Sequence, residues 1–212
     1  MSGLKFYLVD CETVGLDSSY HEMTEISLID CDTRVQLTEF IKCDYPERAN
    51  IDSLKITNKT LADLENGNSR EYVVNKINKF LNEDGLTPAH RCLIGHNSQF
   101  DRKFIWALYE KVGQQLPVDL WICTMALTRA YAKKIGLVKP KVNLTASLEI
   151  VGIKKLAGAH ASKVDTRNTF LLWKNLTEEK NIDYLPFVKT IQHQVKESSD
   201  EEQGLDPDLL DL

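Results

Sequence analysis

No run in this chain approaches the roughly 20 consecutive apolar residues needed to cross a bilayer. No charged leader with an apolar segment and cleavage site precedes the first strand-like stretch. The expectation is a cytoplasmic protein with no membrane partner. Paired cysteines are missing as well. Cys11, Cys31, Cys43, Cys92 and Cys123 are odd in number, widely spaced and free of any C-x-x-C pair, which argues against a structural zinc site. Most lie in apolar runs and read as free, buried thiols in a reducing compartment. Cys123 has no neighbouring base that would make it a nucleophile. There is no internal repeat.

Positive charge is not in excess either: 26 Lys and Arg face 31 Asp and Glu, a net charge of −5. Seven of the acidic residues lie beyond Lys196, so residues 1–195 hold 24 acidic and 25 basic side chains. A neutral body argues against a broad electrostatic grip on duplex DNA. It leaves room for a pocket that takes one strand end.

What the chain does contain suits one α/β domain over residues 1–196, followed by an acidic tail, 197–212, whose composition reads as disordered. Residues 4–10, 24–31 and 34–43 read as strands, the last two joined as a hairpin through Asp32-Thr33. A short helix is expected over 57–64. Tyr72, Val73, Ile77, Phe80 and Leu81 fall at helical spacing. Strands at 92–94 and 120–123 alternate with helices at 99–112 and 125–135, giving a mixed sheet flanked by helices. Further helices are expected at 144–151, in an amphipathic stretch opened by residues 160–165 that carries Val164, Leu171, Leu172 and Trp173, and at 181–196. Gly152 and Gly158 bracket the loop that leads to His160.

Acidic pairs at i, i+2 are common here, as Asp30/Asp32, Asp63/Glu65, Asp200/Glu202 and Asp206/Asp208 show. Asp10/Glu12 differs in context. The pair ends an apolar strand, where i and i+2 share a face and Cys11 points away. Carboxylates placed there are costly to desolvate unless something positive sits between them. Thr13-Val14-Gly15 follows, and its glycine permits a tight turn. Asp101 opens a helix just after His96 and Asn97 at another strand end. His160 and Asp165 open a third helical stretch. Each has an ordinary explanation alone: a solvated strand cap, a helix-terminal acid, a loop histidine. Together, four carboxylates and one histidine are the makings of a magnesium-dependent phosphodiesterase.

Those residues stand in three motifs. Asp10-Cys11-Glu12-Thr13-Val14-Gly15 matches D-x-E-T-x-G, His96-Asn97-Ser98-Gln99-Phe100-Asp101 matches H-N-x-x-F-D, and His160 to Asp165 matches H-x(4)-D. In this order they resemble the DEDDh branch of the DnaQ-like 3′–5′ exonucleases, which includes proofreading epsilon subunits, ribonuclease T, oligoribonuclease and exonuclease X. Thr24-Glu25-Ile26 and residues 51–64 and 143–152 resemble secondary patches of the family, and the likeness spans about residues 5–175. Ala161-Ser162 departs from the usual pair after the histidine.

The resemblance implies a ribonuclease-H-like fold with a mixed five-stranded sheet. It implies that Asp10, Glu12, Asp101 and Asp165 hold two Mg²⁺ ions, replaceable by Mn²⁺, about 4 Å apart. His160 is implied as general base, with an ordinary pKa of about 6.5 that suits the task. Thr13 and Leu16 would contact the terminal sugar and base, and Asn97 would order the region around Asp101. Phe104 could stack on a base, but its helical spacing with Phe100 and Leu108 favours the core. The substrate is expected to be the 3′ end of single-stranded nucleic acid, with nucleoside 5′-monophosphates released. Residues 121–125 resemble exonuclease X and favour DNA, with a repair or proofreading role. RNA trimming of the ribonuclease T or oligoribonuclease type is the alternative. A catalytically silent interaction module is a further one, disfavoured because all five positions are filled. The leucines of residues 205–212 loosely resemble a clamp-binding peptide, so a clamp or polymerase partner is open beside a purely solubilising tail.

Overall fold

A computed structural model describes residues 3–158 and 161–190. His160 and the tail, with its expected disorder and its clamp-like leucines, lie outside the described residues. The chain forms β1 (Lys5–Thr13), β2 (Met23–Asp30), β3 (Gln36–Phe40), α1 (Ile51–Thr57), α2 (Leu61–Leu64) and α3 (Arg70–Asn82). It continues with β4 (Arg91–Gly95), α4 (Ser98–Val112), β5 (Leu120–Cys123), α5 (Thr124–Lys134), α6 (Leu144–Val151), α7 (Ser162–Lys174) and β6 (Lys189–Thr190). The sheet order is β3-β2-β1-β4-β5-β6. β1, β4 and β5 run parallel, and the other pairings are antiparallel.

Alternation along β1 sets the two layers. Tyr7, Val9 and Cys11 face one core with Val74, Ile77, Phe104 and Leu108 of α3 and α4. Leu8 faces the other, with Leu127, Leu148 and Leu172 of α5, α6 and α7. Asp10 and Glu12 continue the Leu8 side, so β1 carries its carboxylates toward α7.

Three sequence expectations are corrected. The sheet has six strands rather than five, because β6 adds an antiparallel edge to β5. β6 falls in the described part of the helix expected over 181–196, whose residues 191–196 lie outside the described residues. Pro186 would interrupt a helix running on from residue 181, and only a three-residue turn, Leu185–Phe187, forms there. The nearby apolar residues serve tertiary contacts instead, with the Tyr184 ring 5.3 Å from Phe6 and 5.4 Å from Trp173. The helix expected over 57–64 is confined to α2, with α1 preceding it: Asn58 ends α1 in the left-handed region (φ 53°), and a Thr60–Asp63 capping box starts α2. Among the described residues no helix is long and apolar enough to cross a membrane, and all five cysteines are free.

Candidate active site

The parallel strands β1 and β4 end at one edge of the sheet, and the acidic motifs meet there from both layers. Asp10 lies opposite Ser27 and Glu12 opposite Glu25 in the β1–β2 register. Asp101 sits in the first turn of α4, on the other side of the sheet. Its Oδ1 accepts from the Cys11 amide at 3.1 Å and from Cys11 Sγ at 3.3 Å. Gly95 makes this approach possible, since a Cβ there would crowd Ser98 at 3.1 Å and Asp101 Oδ2 at 3.3 Å. Asn97 then turns the chain into α4 in the left-handed region (φ 68°), with its carbonyl taking the Phe100 amide. It is exposed, and it orders the start of α4 through its backbone.

Asp165 lies in the first turn of α7 and is 8% exposed. Its Oδ1 is 3.7 Å from Lys155 Nζ and receives Asn168 Nδ2 at 3.4 Å. Asn168 is fully buried and accepts the Leu156 amide at 2.9 Å, which ties the loop before His160 to α7.

Glu12 and Glu25 face each other across neighbouring strands, an arrangement that costs energy unless compensated. Glu25 has the compensation. Lys59 Nζ stands 3.0 Å from Oε2, and Ser162 Oγ donates to Oε1 at 2.7 Å. One buried carboxylate thus joins β2, the α1–α2 junction and the first residue of α7. Sequence reading placed Thr24-Glu25-Ile26 in a secondary patch but gave Glu25 no role, and it missed Lys59, Lys155, Ser162 and Asn168. The period-2 pattern of β2 could have put Glu25 on the site face. Nothing local marked the others.

The electrostatics follow from crowding. Burial, and then Asp101, Glu12, Asp165 and Glu25, hold the Asp10 carboxyl well above its ordinary range. Burial, then Glu25 and Asp165, push Glu12 up to about 7, with Lys59 pulling the other way. Asp101 is raised by burial and partly relieved by its two hydrogen bonds from Cys11. A cluster of this kind demands positive charge. Its donors are all hard oxygens, which fit a divalent cation of the Mg²⁺ or Mn²⁺ type. Among the described residues, no three His, Cys, Asp or Glu side chains are arranged to hold an ion as they stand. The cluster therefore fits by donor chemistry, with part of the coordination left to substrate and water.

The other expected site residues separate clearly. Thr13 is buried and its hydroxyl donates to the Gly15 carbonyl at 2.6 Å, fixing the turn after the carboxylates. Leu16, one residue further, is 82% exposed beside the site. His96 is clamped between Thr124 Oγ1 at 2.8 Å and the Val142 carbonyl at 2.9 Å. Burial holds its pKa down to about 4, so it is a neutral strut rather than a base. Phe104 is 2% exposed and belongs to the core.

Residues 8–172 match the family model for exonucleases of the RNase T type. No curated protein matches the chain. Among solved structures, the nuclease domain of 3′hExo, a DEDDh family member bound to rAMP, is 14% identical with a TM-score of 0.68, covering 90% of this chain and 98% of that one. E. coli exonuclease I in complex with a dT13 oligonucleotide is 15% identical with a TM-score of 0.70, over 84% of this chain and 42% of that one. A 3′-exonuclease that recognises the histone mRNA stem-loop is 12% identical with a TM-score of 0.66, over 92% and 72% of the two chains. Identities of this size speak to the fold alone. The shared fold is the mixed, helix-flanked sheet of the DEDDh exonucleases.

Proposed function

The chain belongs to the exonuclease family, and from that premise we propose that it removes nucleotides from the 3′ end of single-stranded nucleic acid, DNA in preference to RNA, releasing nucleoside 5′-monophosphates. The observation that carries this reading is the meeting of Asp10, Glu12, Asp101 and Asp165, delivered by three separate motifs to one end of the parallel strands, with Asp10 and Glu12 held above their ordinary range by the crowding. A divalent cation bound there supplies neutralisation and polarises the phosphodiester.

The chain's own residues do the positioning. Cys11 fixes Asp101 from β1, and Asn168 and Ser162 fix the start of α7. Thr13 and Gly15 set the turn that presents Leu16 to the terminal base. His160, two residues before α7 in the chain, is the proposed base that takes the proton of the attacking water. Binding of dT13 by one fold neighbour supports the DNA reading, and a repair or proofreading role is proposed with it. The rAMP and histone-mRNA complexes of two others keep RNA trimming as the second reading.

Matched DNA and RNA twelve-nucleotide strands, labelled at the 5′ end, test both. A ladder shortening from the 3′ end with Mg²⁺, and none with EDTA, is the expected result, faster on DNA. Asp10→Ala and Asp165→Ala should abolish it while circular dichroism stays native. Full activity in either purified variant would sink the site assignment, and faster RNA cleavage would reverse the substrate preference.

A further inference from the structure

The neutrality of the body is a cancellation. Residues 1–119 hold 13 Lys and Arg against 19 Asp and Glu, whereas residues 120–164 hold eight against Glu149 alone. The excess is gathered on α5, the loop before α6, and the loop before α7. Arg129, Lys133, Lys139, Lys141 and Lys154 are exposed, and none of the five is paired with a carboxylate among the described residues. A charged face on an ordinary domain mixes both signs. Here eight positive charges stand against a single negative one over 45 residues.

The fold sets this basic lobe against the carboxylates. Val142, next to Lys141, closes on His96 Nε2 at 2.9 Å, at the end of β4. Lys155, next to Lys154, reaches Asp165 Oδ1 at 3.7 Å. Arg129 and Lys155 both lie close enough to His96 to oppose its protonation. Between these anchors Val138 is 87% exposed, an aliphatic surface among the lysines. The cluster of carboxylates would repel any polyanion, so a substrate that is one needs attraction beside the site rather than in it.

We propose that the lobe from Arg129 to Lys155 holds the phosphates of the strand upstream of its 3′-terminal nucleotide. The proposal rests on the 3′-exonuclease reading of the carboxylate site and names the path its substrate takes. It also explains how a protein of net charge −5 grips a polyanion.

The test is a charge-reversed variant, Lys139→Glu/Lys141→Glu/Lys154→Glu, compared with wild type in the full chain. Two measurements read it. Binding of a fluorescein-labelled dT twelve-nucleotide strand is followed by anisotropy in EDTA across a salt series. Cleavage of that strand with Mg²⁺ is expressed relative to hydrolysis of the p-nitrophenyl ester of thymidine 5′-monophosphate, which has no upstream phosphate. Each lost single-strand phosphate contact flattens the slope of log K against log salt by about 0.7. The variant should therefore lose about two from the slope, bind at least tenfold more weakly at 0.1 M salt, and show a strand-to-ester ratio at least tenfold lower. Equal slopes and an unchanged ratio would overturn the proposal. So would variants whose only change is loss of inhibition by an added peptide of residues 197–212, since the lobe would then serve the chain's own acidic end. Salt-sensitive binding lost in the variant, with no cleavage of strand or ester by wild type, would support the lobe and count against the exonuclease reading.

Discussion

Replacing Glu12 by Gln should stabilise the metal-free protein at alkaline pH while destroying its activity. The ordinary Glu value of 4.5 is raised to about 7 by burial and by Glu25 and Asp165. A carboxyl whose folded pKa lies above its unfolded one favours the folded state below the unfolded value. That advantage is lost as pH rises through the folded value. At about 1.4 kcal/mol for each pH unit between the two, ionised Glu12 costs the folded, metal-free chain about 3 kcal/mol at pH 8. Gln keeps the size and hydrogen-bonding capacity of the protonated acid and carries no such cost. Urea denaturation in EDTA should show Glu12→Gln more stable than wild type by about 2–3 kcal/mol at pH 8 and equal to it near pH 4.5. Groups remote from Glu12 cancel in the comparison, while Asp10, which Glu12 helps to hold up, is relieved in the variant and shifts stability in the same direction. Equal stability at pH 8, or a loss of similar size at both pH values, would refute the claim that the cluster is electrostatically strained.

Three further outcomes are expected. Lys59→Met removes the cation that pairs Glu25, leaves a buried carboxylate facing Glu12, and should cost about 3 kcal/mol in urea denaturation. Glu12 should then titrate still higher, moving the acid limb of the activity profile to higher pH. Ser162→Ala deletes the bond from α7 to Glu25 and should cost about 2 kcal/mol, with kcat falling more than KM because Asp165 shifts with the helix. Asp84→Asn lies at the opposite end of the sheet, where Asp84 accepts from Arg91 Nη2 at 2.6 Å and from Tyr7 at 2.9 Å. It should cost about 3–5 kcal/mol and leave kcat alone. Against the upward push of burial, the bonds from Arg91, the Leu86 amide and Tyr7 hold the Asp84 carboxyl down to about 2, so wild type should lose this contribution as pH falls from 3.8 through 2.

The sequence made the site legible where its logic was local. Asp10 and Glu12 share a face because strands alternate, Asp101 and Asp165 open helices, and the motifs give their order. It was silent where the logic is pairing at a distance, as with Glu25, whose partners Lys59 and Ser162 lie 34 and 137 residues away. The missed edge strand has the same cause. Tyr184 and Phe187 are apolar at helix-like spacing, yet Pro186 and the neighbouring Phe6 and Trp173 rings decide their conformation. Summed charge misled in a further way, since a total cannot show that residues 120–164 are basic and the strands before them acidic.

The bond from Ser162 to Glu25 also says when the enzyme comes into being. The carboxylates of β1 belong to a strand built locally, but the contact that seats Asp165 beside them spans 137 positions. Long-range closures of this kind are paid late, after local structure has formed. A chain interrupted anywhere before α7 would hold a half-built sheet with like charges at its edge and no means to cut. Nuclease activity would therefore await closure of the fold by α7.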